Sequence, residues 1–118
     1  MRYGLPEVTR AKTMKAKGFP WRPRVGDWYV SHTGHCELVS SLDQVHRLSG
    51  NGSVFLPSWD DCRHWLSLYD WCDPELDDDN GGSVRMHVTH ADGRVLRVVG
   101  VSDLDCLYRI ILSILMRA

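Results

Sequence analysis

Two periods alternate along the chain. In SVRMHVTH, residues 83–90, Val84, Met86 and Val88 alternate with Arg85, His87 and Thr89. Strand side chains point to opposite faces in turn, so the pattern predicts a strand buried on one side. Ala91-Asp92-Gly93 predicts a three-residue hairpin loop, with glycine where φ must be positive. RVLRVVG then returns with Leu96 and Val98 facing inward. Upstream, VGDWYV (25–30) and HCELVS (35–40) predict another hairpin around the turn-like SHTG, with Trp28 and Val30 on one face. The short apolar SVFL, 53–56, predicts a buried strand.

Helices are marked by caps and by wider spacing. Ser58 follows Pro57, and Asp61 stands three residues later, the pattern of a capping box. Cys62, Trp65, Leu66 and Tyr69 then recur at i, i+3, i+4 and i+7 and predict one apolar face. Pro74 is expected to stop this helix just after Asp73. SLDQVHRL, 41–48, predicts a short helix with Ser41 as N-cap and Gln44 at the box position. Ser102 with Asp105 forms a further box that opens the last helix, DLDCLYRIILSILMRA. The sum is an α+β domain: a small antiparallel sheet with helices packed on one face and an apolar C-terminal helix.

That last helix is too apolar for a surface helix. Asp105, Arg109, Ser113 and Arg117 recur every four residues as a single polar stripe, and almost everything else is apolar. A surface helix needs an apolar arc of a little over ~100°, and here the arc is about twice that. Part of it must cover the sheet. The rest is covered by the chain itself or by another molecule. In the second reading Ile110 and Ile114 lie at the interface of a homodimer or another partner.

Residues 1–24 look different. EVTRAKTMKAKG predicts a short helix ending at Gly18, with apolar positions too sparse to bury a wide face. FPWRP follows, and its prolines predict an extended segment. The division expected is a basic arm, 1–24, and one α+β domain, 25–118. A length of 118 residues and 43% apolar content suit a single domain with a real core.

Charge is uneven although the formal net charge is only -1. Before Val25 stand Arg2, Arg10, Lys12, Lys15, Lys17, Arg22 and Arg24 against Glu7 alone. From Trp59 to Asn80 stand Asp60, Asp61, Asp70, Asp73, Glu75, Asp77, Asp78 and Asp79 against Arg63 alone. The Asp-Asn-Gly run at 77–82 is good loop chemistry, and a solvated connection explains it. The competing reading is contact with a basic partner, because Trp59 and Trp71 lie beside the acid and charge-rimmed aromatics mark interfaces. A surface of Trp59, Asp70, Trp71, Asp73, Glu75, Asp77, Asp78 and Asp79 would mimic nucleic-acid charge and occupy a basic groove on another protein. The alternative is nucleic-acid binding by the arm, with Arg10, Lys12, Lys15, Lys17, Arg22 and Arg24 on phosphates and Tyr3, Phe19 and Trp21 on bases.

Metal and catalytic motifs do not assemble. An EF-hand loop read from Asp77 places Gly81 and Val88 where ligands belong, and one read from Glu75 places Asn80 where glycine belongs. His32, His35, Cys36, Cys62, His64, Cys72, His87 and His90 are candidate zinc ligands, yet no C-x2-C pair occurs. Cys62 and His64 sit about 200° apart on a helix and cannot form a nucleophile–base pair. No catalytic residue, metal or cofactor is therefore assigned. A third reading keeps a small enzyme or metalloprotein whose site joins residues distant in sequence. The first residues contain no apolar signal core and no run approaches a membrane span, so the expectation is a cytoplasmic protein with free thiols.

VFLPSWDDCRHWL, 54–66, in which an apolar strand ending in Leu-Pro leads into an aromatic-rich helix, resembles a pattern in short uncharacterised proteins of bacterial phages and prophages. The resemblance implies a phage or mobile-element accessory protein, a class that includes stoichiometric inhibitors. It implies no catalytic residue. The function expected is thus a non-enzymatic protein-binding module.

Overall fold

The computed structural model describes residues 3–48, 52–77 and 82–117. Its elements are α1 (Leu5–Ala16), β1 (Trp28–Val30), β2 (Cys36–Leu38), α2 (Leu42–Leu48), β3 (Val54–Leu56), α3 (Trp59–Leu68), β4 (Glu75–Leu76), β5 (Val84–Thr89), β6 (Val95–Gly100) and α4 (Asp103–Arg117). The fold is α+β. The strands form two three-stranded antiparallel sheets, β2-β1-β3 and β4-β5-β6, where one sheet was expected.

α4 is the centre. Leu104, Cys106, Leu107, Tyr108, Ile110, Ile111 and Leu112 are all buried. Met86, Val88 and Leu96 of the second sheet join the same core. So do Val30 and Leu56 of the first sheet, and Cys62, Trp65 and Leu66 of α3. The remaining arc of α4 is covered by α1.

That contact overturns the division into arm and domain. Tyr3, Ala11 and Met14 are buried in the main core, and Glu7 is buried beside them. Glu7 accepts from Gly4 N at 3.1 Å and from Ser102 Oγ at 2.7 Å, which ties the start of α1 to the start of α4. Sparse apolar positions suffice because α4 contributes the grease for both helices. The same contact shows what covers this part of α4 within the chain: Ile110 is fully buried, and Ile114 is half-buried against the core.

Two helices end in the same way. Gly18, at φ 93°, follows α1, and Phe19 N donates to Met14 O at 2.9 Å. Asp70, at φ 66°, follows α3; Asp70 N donates to Ser67 O at 3.2 Å and Trp71 N to Leu66 O at 3.1 Å. Both are Schellman endings, with a left-handed residue just past the helix. Asp is one of the few non-glycine residues that tolerate this conformation. The helix therefore stops well before Pro74. The reversal also carries Trp71 inward, with 6% exposure, where Trp71 was expected on the surface.

Candidate functional site

The Ser58 box positions one end of the acidic segment. Asp61 N donates to Ser58 Oγ at 3.1 Å, and Ser58 N donates back to Asp61 Oδ2 at 2.9 Å. Asp61 also accepts from Arg24 at 2.9 Å. Trp59 is half-buried, and its Nε1 donates to Asp103 Oδ2 at 3.0 Å. Trp71 packs edge-on to His90, with ring centroids 4.9 Å apart, and Arg94 lies over its ring at 5.5 Å.

Most of the described acids beyond it have partners within the chain. Asp73 pairs with Arg63 at 3.0 Å, and this hydrogen bond raises the Arg63 pKa above its usual range. Asp60 lies 3.6 Å from the same guanidinium. β4 pairs with β5, which sets Glu75 opposite His87. Glu75 then approaches His87 Nε2 at 3.2 Å, and Asp77 approaches Nδ1 at 2.7 Å. Asp70 keeps an exposed side chain, and its carbonyl accepts from Ala91 N at 2.9 Å. Asp78 and Asp79 lie outside the described residues. The strand β4 was not anticipated; two residues carry no alternation to detect.

The basic residues are divided in the same manner. Arg10 lies 3.5 Å from Asp105, and Lys15 donates to Ser53 O at 2.9 Å. Arg24 binds Asp27 and Asp61, and the charge of Asp27 is the main cause of its raised pKa. Lys12, Lys17 and Arg22 are exposed. Trp21 stacks on Phe55, with centroids 5.2 Å apart and planes at 4°, and its Nε1 donates to Asp27 Oδ2. Phe19 packs on Trp65. The aromatics expected to stack on bases therefore hold the extended segment to the body. Beside them lies a cavity of about 330 Å³ lined by Met14, Lys15, Phe19, Trp21, Leu48 and Phe55.

Among the described residues no group of three or more His, Cys, Asp or Glu side chains is placed to hold a metal. Burial pushes the Cys62 thiol well above its ordinary pKa and the Cys106 thiol up to about 11. Neither offers a thiolate nucleophile near neutral pH. No helix among the described residues is long and apolar enough to cross a membrane.

One surface has unspent main-chain valence. β6 is the edge of its sheet. His90 N donates to Arg94 O at 2.8 Å, and β5 pairs with β6 through Val84↔Gly100. Alternation of bonded pairs then directs the main chain of residues 94, 96, 98 and 100 toward β5. The N–H and C=O groups of Val95, Arg97 and Val99 point the other way, and no described residue bonds them. Val95 and Val99 are 45% and 51% exposed on the outer face, and Val101 beyond them is 62% exposed. Sequence alternation located this strand and its inward face. Which strand ends a sheet is a matter of topology and was not legible. The fold and this edge define a small α+β protein with an apolar edge strand paired on one side only. No family model, curated protein or solved structure matches the chain.

Proposed function

We propose that the protein is a non-enzymatic binding module that takes up an extended segment of another protein along β6. The observation that carries this reading is the six-residue edge, paired on one side only and flanked by exposed valines. An uncovered strand of this length and composition is a template for another strand, since main-chain hydrogen bonds supply affinity and alternate side chains supply specificity. Natural proteins usually cover, shorten or charge such an edge, and here one arginine alone interrupts the valines.

The acidic segment has the weaker claim, because Asp73, Glu75 and Asp77 already face Arg63 or His87. The basic N-terminal region has the weaker claim for nucleic acid, because Arg10, Lys15 and Arg24 are engaged internally.

The test is affinity capture from lysate of the source cells, with and without nuclease, using wild type and Val99→Pro. Proline at this position removes one outward N–H and none of the bonds to β5. A stoichiometric protein that survives nuclease and is lost with Val99→Pro supports the reading. Capture that is abolished by nuclease, or that ignores Val99→Pro, overturns it.

A further inference from the structure

The edge of β6 opens on its inner side into a groove of about 270 Å³ lined by Arg10, Val98, Arg109, Leu112, Ser113 and Met116. Most of its lining comes from α4, with Val98 contributed by β6 and Arg10 by α1. A strand added to β6 would send alternate side chains into this groove and the others over the outer face of the sheet.

Both faces of that added strand would meet arginine. On the outer face Arg85 lies opposite Val99, and Arg97 lies opposite His87. Arg85 and Arg97 are exposed and meet no acid among the described residues. On the inner side Arg10 and Arg109 are 33% and 39% exposed, and both turn toward the single carboxylate of Asp105, which is fully buried. Glu7, the other buried acid of this region, is held by Gly4 and Ser102. Among the described residues, the accessible charges on β6 itself and in the groove beside it are therefore arginines, while Glu75 and Asp77 sit further in and face His87.

From this charge we infer, resting on the strand-addition reading above, that the occupant is an acidic extended segment of another protein. Its apolar residues cover Val95 and Val99, one carboxylate reaches Arg97, and another on the opposite face enters the groove toward Arg10 and Arg109. A second copy of the chain fits less well. Antiparallel pairing of two β6 edges about their midpoint sets the two Arg97 side chains opposite each other, and like charges directly opposite destabilise a sheet.

The experiment uses the full chain and fluorescein-labelled blocked peptides built around Val-Ser-Glu-Glu-Val, which sets Val, Glu and Val on one face and a further Glu on the other, or the same peptides with Lys for each Glu, read by fluorescence anisotropy. The acidic peptide is expected to bind about tenfold or more tighter than the basic one at low salt. Arg97→Glu should weaken that preference severalfold, because Arg10 and Arg109 remain in the groove, and Val99→Pro should remove binding while the melting transition stays. Should Val99→Pro fail to fold, Arg97→Glu, a change at an exposed site, still decides the charge inference. Equal binding of both peptides, abolished by Val99→Pro, leaves strand addition standing and overturns the acidic partner. No peptide binding, with a dimer in light scattering that Val99→Pro dissociates, overturns it in favour of a second copy. No peptide binding by a monomer overturns both readings. Tight binding of labelled oligothymidylate that ignores Val99→Pro also overturns them, since phosphate needs the arginines but no strand ladder.

Discussion

The N-terminal basic region and the acidic segment read alike in the sequence, as two charged surfaces of opposite sign. In the fold they have little in common. The basic region lies across α4 and buries Tyr3, Glu7, Ala11 and Met14. The acidic segment stays at the surface and is matched by Arg63 and His87 through contacts that water also reaches. Charge density along a chain thus says little about what a segment does. A helix such as α1 keeps its lysines exposed on one side and buries Glu7, Ala11 and Met14 on the other, and the energetics follow the contacts.

The sharpest break in this comparison is removal of residues 1–18. If α1 is core, the truncated chain exposes the apolar arc of α4 and loses its cooperative thermal transition, visible by circular dichroism. A truncated chain that melts as wild type would restore the arm. Met14→Ala makes the same point without deleting backbone, with an expected loss of about 3 kcal/mol in urea unfolding, because the side chain is almost fully buried. Against these, Asp73→Ala should cost about 0–1 kcal/mol, since both partners of that ion pair are exposed. A loss comparable to that of Met14→Ala would mean that the acidic segment is structural after all.

The smallest effects concern the thiols, which also sort by region. Alkylation of the native protein should label exposed Cys72, beside the acidic segment, before half-buried Cys36. Cys62 and Cys106 should react only on unfolding. Burial raises the Cys106 pKa from 9.0 to about 11, so the folded state holds a proton that the unfolded state releases. This contribution is fully present below pH 9.0 and lost as pH rises through about 11. Melting temperature should accordingly fall over this window, and less steeply in Cys106→Ala.

Much of the secondary structure was legible because it depends on neighbours in sequence. Ser58 and Asp61 cap α3 three residues apart, and Val84, Met86 and Val88 turn inward together. Gly18 ends α1 where expected. Other features escaped for identifiable reasons. The end of α3 depends on Asp70 entering a left-handed conformation, which its side chain permits but does not announce. β4 exists because β5 offers an edge to Glu75 and Leu76. Trp71, expected outside, was carried inside by the helix ending before it.

The candidate site divides along the same line. Alternation alone specified β6, its inward face and its outward valines, because side chains of an extended chain must alternate. Only the tertiary structure decided that β6 ends its sheet, that α1 and α4 border a groove beside it, and that Glu7 reaches Ser102 across 95 positions. Periodicity and capping act over a few residues, so the sequence by itself determined which segments are helices and strands and which of their faces are apolar. What covers each face is a choice among distant segments, made by burying the most apolar surface that their lengths and charges allow.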